Sequence, residues 1–234
     1  MNHHINEYAQ PIGAPLPAWS ERPLPTGVVL HGRFCSLEPL NAELHASDLY
    51  DAYASAKDGR DWTYLPVGPF HEKNAYRRYA EAASNSIDPK HYSVIDTRLG
   101  KAVGTLSLMR ADAKNGAVEV GWVTFSPLLK QKPASTEAQF LLMQYVFEEL
   151  GYRRYEWKCD SLNEPSRKAA QRLGFSFEGI FRQASVYKQR SRDTAWFAIT
   201  DKEWPQRKQA FLAWLSQENF DSNGRQIKPL STIL

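Results

Sequence analysis

A short segment in the second half of the chain combines residue types and a spacing that could hold the polar groups of a ligand. Asn163, Pro165 and Ser166 follow 155–159, a stretch with the composition of a short strand. Pro165 suits the first turn of a helix, and Gly174 suits its end. Asn163 and Ser166 would then lie close together and face the end of the strand. The alternative, in which Asn163 only caps the helix, stays open because Asn is a common cap.

The segment after residue 125 has features of an anion-binding loop. A predicted strand, 117–125, runs into a loop that carries Lys130 and Lys132, and a long helix follows at 135–150. The start of a helix presents free N–H groups and the positive end of its dipole, which suits a pyrophosphate. In the alternative, the turn is ordinary and neighbouring polar residues cap the helix: Ser135 or Thr136 at the N-cap and Glu137 in the first turn.

A carboxylate stands between two valines in the same predicted strand. Glu119 lies between Val118 and Val120, and an ionised carboxylate is costly to bury. If its face of the sheet opens on a cleft, Glu119 could act as a base. In the alternative, strand alternation simply turns Glu119 toward water, and the strand alone favours this alternative.

The periodicity and turn signals that position these residues predict a mixed α/β domain in the order β-α-α-β-β-β-α-β-α-β-β-α. The predicted strands are 28–37, 91–96, 102–110, 117–125, 155–159, 175–181 and 194–199. The predicted helices are 42–57, 70–84 and 135–150, one that begins at Pro165, and a last one over 204–215. Asn41 should cap the first helix and Gly59 should end it, while Thr200 and Glu203 match a capping box.

Length and composition limit the class of protein. The 234 residues and 26.7 kDa suit one large domain or a domain with an arm. Five prolines lie in residues 1–27, which we predict as an extended arm, followed by a domain over 28–215 and a tail over 216–234. The seven Trp, eleven Tyr and eleven Phe exclude disorder throughout the chain.

No apolar run approaches the roughly 18 residues that a membrane span needs. The two cysteines, Cys35 and Cys159, cannot form a disulfide framework and have no zinc-site spacing, so a reducing cytosol fits best. The net charge of +3 is only mildly basic. It allows anionic ligands without indicating a protein that binds nucleic acid.

Together these features resemble the GNAT superfamily of acyl-CoA-dependent N-acetyltransferases, in its ribosomal-protein (RimJ/RimL-like) branch. The resemblance covers roughly residues 28–215 and depends mainly on four stretches of sequence: 136–154, 163–166, 171–179 and 192–205. The order of an N-x-x-S helix start, Leu-Gly-Phe and then Glu-Gly is its most specific part. One departure stands out, because the family's phosphate loop usually carries glycine and residues 131–136 carry none.

The resemblance implies a GNAT-like fold with a mostly antiparallel central sheet splayed between 117–125 and 155–159. It implies acetyl-CoA as co-substrate and no metal. The implied acid–base residues are Glu119, which would take a proton from the amine through water, and Ser166, which would return one to the leaving thiolate. The implied cofactor contacts are Trp122, Val123 and Phe125 on the strand, Lys130, Lys132, Ala134, Ser135 and Thr136 around the helix start, and Asn163 and Arg167 beside the pantetheine.

The leading hypothesis is therefore transfer of an acetyl group to a primary amine on a protein N-terminus, a peptide, an amino acid or a small molecule. The acceptor pocket is expected in the loops around 62–70 and 181–192. A second hypothesis is a non-catalytic CoA-binding or interaction domain, which the glycine-free loop motivates. A third is a nucleic-acid- or ribosome-associated module, although a solvated basic face explains its residues at least as well: Arg153, Arg154, Arg167, Lys168, Arg190 and Arg192. We expect no membrane partner, do not favour nucleic acid, and leave a homodimer open.

Overall fold

One eight-stranded sheet organises the computed structural model of the chain, which describes residues 4–234. In chain order the strands are β1 His4–Ile5, β2 Pro11–Ile12, β3 Leu30–His31, β4 Cys35–Pro39, β5 Lys90–Asp96, β6 Lys101–Asp112, β7 Ala117–Phe125, β8 Arg154–Asp160, β9 Ser176–Tyr187 and β10 Arg190–Thr200. β1 and β2 pair separately in the N-terminal arm. The large sheet has the order β3-β4-β5-β6-β7-β8-β10-β9, in which β7 and β8 are parallel and the other neighbours antiparallel.

Helices cover both faces of this sheet and create two cores. They are α1 Ala42–Ala54, α2 Lys73–Ser84, α3 Pro133–Gln144, which continues as a π-helical turn Tyr145–Glu149, α4 Glu164–Arg172 and α5 Trp204–Leu215. The smaller core lies around α1 and α2, and the larger one joins α3 and α5 to the sheet. Val118 and Val120 belong to the larger core. Because side chains alternate along a strand, β7 directs Glu119 to the opposite face.

The predicted mixed α/β class and order of elements are confirmed, and the strand predicted at 117–125 coincides with β7. Asn41 caps α1 as predicted, because its side chain accepts the N–H groups of Glu43 and Leu44. The end of this helix was predicted wrongly. α1 stops at Ala54, and Gly59 instead begins a 3-10 turn. The hairpin of β9 and β10 extends beyond both predicted strands.

The strand predicted at 28–37 is also wrong as one piece, because a tight turn separates β3 from β4. The cause is Glu137 on α3, whose buried carboxylate accepts three consecutive backbone N–H groups of the turn. The distances are 2.8 Å from Arg33, 2.6 Å from Phe34 and 2.8 Å from Cys35. A Cβ at Gly32 would lie 2.5 Å from this carboxylate. Glu137 is therefore an anchor between helix and turn, and the predicted first-turn position is incorrect because α3 begins earlier.

The capping box predicted before the last helix is displaced rather than absent. The Glu203 carboxylate accepts the backbone N–H and the hydroxyl of Thr200 at 2.8 and 2.7 Å. However, α5 begins at Trp204, so Glu203 and not Thr200 is the N-cap residue. The box holds the turn that leads from β10 into the helix.

Both ends of the described chain pack against the sheet and its helices. In the arm, the Trp19 indole donates to the carbonyl of Lys114 at 2.9 Å, and the Tyr92 hydroxyl donates to the carbonyl of Thr26 at 2.9 Å. After α5, Leu230 is buried and the Asn219 amide bonds to two backbone carbonyls. The division into arm, domain and tail stays a prediction.

Deleting residues 1–17 is expected to leave the remaining chain folded, with an unchanged cooperative unfolding transition. The deletion keeps Trp19 and Thr26, which make two of the hydrogen bonds between the arm and the domain. Urea unfolding followed by Trp fluorescence measures the effect. A matched deletion of residues 1–27 removes both contacts and should lower the midpoint. Loss of the transition in the shorter deletion would contradict the prediction.

Candidate active site

The two parallel strands in the middle of the sheet pair over only part of their length. β7 and β8 pair from Ala117 with Arg154 to Val120 with Trp157, and their pairing stops there. Trp122 has a φ of 51°, and the register of β7 with β6 shifts around it. This bulge increases the bend of β7. A gap therefore opens between the ends of the two strands, and the backbone edge of β7 beyond Val120 is available to a ligand.

The predicted ligand contacts on β7 offer backbone rather than side chains to this gap. The Trp122 ring lies 5.7 Å from the His91 ring and 6.3 Å from the Tyr79 ring, within the aromatic cluster near α2. Val123 and Phe125 pack against the larger core. Any ligand that pairs with this strand would use its peptide groups.

The loop between β7 and α3 makes a tight turn without glycine. Gln131 has a φ of 58°, a left-handed conformation that favours glycine. Its N–H donates to no residue within 4–234. Pro133 opens α3, so the N-cap is Lys132 and not the predicted Ser135 or Thr136, and no side chain caps the helix. Pro133 has no N–H and the Ser135 N–H donates to the Lys132 carbonyl at 3.0 Å, so the N–H groups of Gln131 and Ala134 remain for an anion.

The predicted ligand residues around the start of α3 differ in whether their polar groups already have a partner. The Lys130 ammonium pairs with Asp61, whereas Lys132 has no carboxylate within 4 Å in the described chain. Ala134 is buried, and the Ser135 hydroxyl donates to the Lys132 carbonyl at 2.7 Å. The Thr136 hydroxyl is buried and accepts a hydrogen bond from each terminal nitrogen of Arg172 at 3.1 Å. Sequence reasoning missed Arg172, because nothing local connects it to α3.

At the start of α4 the structure brings Asn163 and Ser166 together. Asn163 is the N-cap, and its side-chain oxygen accepts the N–H of Ser166 at 3.3 Å. The Ser166 hydroxyl accepts the Trp157 indole N–H at 3.0 Å, which leaves its own proton for a second partner. Cys159 lies beside this hydroxyl, and burial raises the pKa of its thiol. Arg167 donates to the Ser161 carbonyl at 3.2 Å.

Glu119 does not face water, contrary to the alternative that the strand alone favoured. Its side chain is 4% exposed. One carboxylate oxygen, Oε2, lies 2.7 Å from Arg110 Nη1 and 3.1 Å from Lys158 Nζ. The other oxygen, Oε1, accepts no hydrogen bond from the part of the chain described here. Because Glu119 stands one residue before the last pair of β7 with β8, this carboxylate lies at the beginning of the gap.

The loops expected to hold the acceptor are joined to one another by hydrogen bonds. The Lys188 ammonium donates to the carbonyls of Trp62 and Gly68 at 2.8 Å, and Arg190 donates to the Thr63 carbonyl. The Tyr64 hydroxyl donates to the Leu162 carbonyl at 3.1 Å. The tip of the β9–β10 hairpin, the 62–68 loop and the β8–α4 loop therefore enclose one region.

The basic residues that motivated a nucleic-acid hypothesis mostly have partners within the chain. Arg154 pairs with Glu156 and Glu178, and Lys168 pairs with Glu164. The Arg153 guanidinium lies over the Trp19 ring. Within residues 4–234, no helix is long and apolar enough to cross a membrane, and no group of three potential metal-ligating side chains is found.

Comparison with known proteins agrees with this geometry. A family profile described as the acetyltransferase (GNAT) domain matches residues 36–176. The crystal structure of a GCN5-related N-acetyltransferase from Brucella melitensis is 49% identical, with a TM-score of 0.91 over 93% of this chain and 99% of that chain. A probable acetyltransferase from Chromobacterium violaceum is 39% identical, with a TM-score of 0.77 over 84% of this chain and 98% of that one. The putative ribosomal N-acetyltransferase YdaF of Bacillus subtilis is 30% identical over 45% of this chain and 57% of that protein.

Proposed function

We propose that this chain, which belongs to the GNAT acetyltransferase family, transfers an acetyl group from acetyl-CoA to a primary amine by direct attack of the amine on the thioester. The observation that carries the proposal is the gap between β7 and β8, which lies between the starts of α3 and α4. The similarity to proteins named N-acetyltransferases supports an enzyme rather than a non-catalytic domain.

The residues around the gap fit acetyl-CoA as a substrate. The unpaired N–H of Gln131, the uncapped start of α3 and the unpaired Lys132 ammonium would hold the pyrophosphate. The free edge of β7 would pair with the amide groups of the pantetheine. The Asn163 side-chain NH₂ donates to none of the described residues and could bond a carbonyl of the same arm.

When bound, acetyl-CoA supplies the activated acetyl group as a thioester. Glu119 would accept the proton of the attacking amine through water, and its free Oε1 would be the accepting atom. Ser166 would donate its hydroxyl proton to the departing thiolate, since Trp157 already occupies a lone pair of its oxygen. Holding both groups beside the reacting atoms replaces collisions in solution by a fixed arrangement.

YdaF is named as a putative ribosomal N-acetyltransferase, and the similarity to it supports an amine of a ribosomal protein as one acceptor. Free amino acids and small amines are the other acceptors that the proposal allows. An acceptor panel therefore needs peptides, amino acids and polyamines.

Titration calorimetry with acetyl-CoA should show binding with a Kd below about 1 mM, the upper end of typical KM values. The physical reason is the set of unpaired donors at the start of α3. Thiol release over an amine panel then measures turnover. No heat of binding at millimolar acetyl-CoA would contradict the proposed function, and binding without transfer to any amine would favour the non-catalytic hypothesis.

A further inference from the structure

Two side chains of opposite charge near the gap have no ion-pair partner. The Asp160 carboxylate accepts the Tyr187 hydroxyl at 2.7 Å and the Leu162 N–H at 2.9 Å. No Lys, Arg or His nitrogen among residues 4–234 lies within 4 Å of it. The Arg192 side chain makes one hydrogen bond, from Nε to the Thr194 hydroxyl at 3.1 Å, and likewise has no carboxylate within 4 Å in the described chain.

The two groups flank one residue on one face of the sheet. Thr194 stands directly opposite Asp160 in the pairing of β10 with β8. Arg192 lies two residues before Thr194 on β10, so its side chain is on the same face. Asp160 and Lys158 also share a face, and Lys158 contacts Glu119. The carboxylate, the guanidinium and the predicted base therefore lie on the same side of the sheet.

Other charged side chains on this face of the sheet form ion pairs, whereas Asp160 and Arg192 do not pair with each other. Lys158 contacts both Glu119 and Glu156 at 3.1 and 2.7 Å. A carboxylate that is only 5% exposed, as Asp160 is, normally needs compensation by a cation or by several hydrogen bonds. Asp160 uses two of about four acceptor positions of a carboxylate, so positions for a further donor remain.

Tyr187 fixes the direction of this carboxylate. Burial and the hydrogen bond to Asp160 raise the pKa of Tyr187 to about 12, so the phenol keeps its proton at neutral pH and stays a donor. The cations Arg190 and Arg192 act against this shift. Tyr187 also lies at the hairpin tip that Lys188 joins to the 62–68 loop, which places the Asp160 carboxylate under the enclosed region.

Asp160 also lies close to the thioester end of the gap. It is the last residue of β8, beyond the point at which β7 and β8 separate. Its carbonyl accepts the N–H of Asn163 at 2.9 Å, so it adjoins the residue proposed to hold the pantetheine. An amine bound at Asp160 would therefore be near the acetyl group.

We propose that Asp160 and Arg192 form the acceptor subsite, and that the acceptor carries a carboxylate close to its amine. Asp160 binds the ammonium group and Arg192 binds the carboxylate, while Tyr187 is a positioning residue. This inference rests on the proposed function and names its acceptor class. A free α-amino acid and a peptide with an acidic second residue share this chemistry.

The experiment compares acceptors that differ only in the carboxylate. The probes are L-lysine with cadaverine, L-phenylalanine with phenethylamine, and the amidated peptides Ala-Glu-Ala-Ala and Ala-Gln-Ala-Ala, each assayed by thiol release from acetyl-CoA. The first two pairs test free amino acids, and the third tests peptides. The variants are Asp160→Asn, Arg192→Met, Arg192→Lys and Tyr187→Phe. Asp201→Asn in the turn after β10 and Arg225→Met in the C-terminal tail, both exposed residues, are the matched controls.

The parent protein should favour the member with the carboxylate by about tenfold or more in kcat/KM in at least one pair, the effect of one charge-assisted hydrogen bond. Arg192→Met should remove that preference and Arg192→Lys should restore part of it. Asp160→Asn should raise the acceptor KM about tenfold for both members, with the Kd of acetyl-CoA unchanged. Tyr187→Phe should raise the same KM by a smaller factor, and the controls should match the parent.

Other results would overturn the inference. Equal or better use of the amines that lack a carboxylate would do so, as would an Arg192→Met variant that keeps the preference. An Asp160→Asn variant that lowers kcat with an unchanged KM would also exclude the subsite. Each of these leaves the proposed function intact. Failure of the parent to acetylate any probe, together with no binding of acetyl-CoA, would instead overturn the proposed function and this inference with it.

Discussion

Replacing Glu137 by alanine is expected to lower the free energy of unfolding by about 1–3 kcal/mol, because a buried N–H left without a partner costs about that much. The carboxylate accepts the N–H groups of Arg33, Phe34 and Cys35, all within 2.8 Å. Glu137 and Cys35 are both buried, so the N–H of Cys35 would lose its partner inside the core. Urea unfolding monitored by circular dichroism measures the change.

Two further variants make this test specific. Glu149→Ala removes an exposed carboxylate from the turn that follows α3 and should change the free energy of unfolding only slightly. Glu137→Gln keeps an acceptor oxygen but cannot serve all three donors as a carboxylate does, so its loss should be intermediate. A Glu137→Ala variant as stable as Glu149→Ala would show that the turn between β3 and β4 does not depend on this anchor.

Glu137 also shows which part of the fold could not be predicted from the sequence. The order of elements and the whole of β7 were predictable, because periodicity and turn residues are local signals. The break between β3 and β4 was not, because its cause lies about a hundred residues away on α3. The local sequence predicts only a first-turn carboxylate at Glu137, because an acidic residue near a helix start normally stabilises the helix dipole.

The candidate site likewise has features that local sequence predicts and features that depend on distant residues. The proximity of Asn163 and Ser166 follows from helix geometry over one turn, so it could be predicted. The pairing of Lys130 with Asp61 depends on a loop brought in from another part of the chain. The bond between Asp160 and Tyr187 crosses from the end of β8 to the hairpin tip, and no spacing in the sequence indicates it.

Replacing Glu119 by glutamine is expected to lower the rate of acetyl transfer by about 10²- to 10⁴-fold, the usual effect of removing a general base. The change keeps the size and hydrogen-bonding shape of the side chain but removes its basicity. The buried carboxylate lies at the beginning of the gap, where the amine must lose its proton before it attacks. The measurement is kcat as a function of pH with an acceptor that the parent protein uses.

The control for this variant must separate basicity from ion pairing. Glu119 also pairs with Arg110 and Lys158, and glutamine weakens both contacts. Arg110→Met removes the more exposed of the two partners and keeps the carboxylate, so it should retain most of the activity. The Kd of acetyl-CoA should be the same in all three proteins. If Glu119→Gln reproduces the rate and the acidic limb of the parent profile, Glu119 is not the base. The amine then loses its proton to water, and Ser166 remains as the acid–base residue of the site.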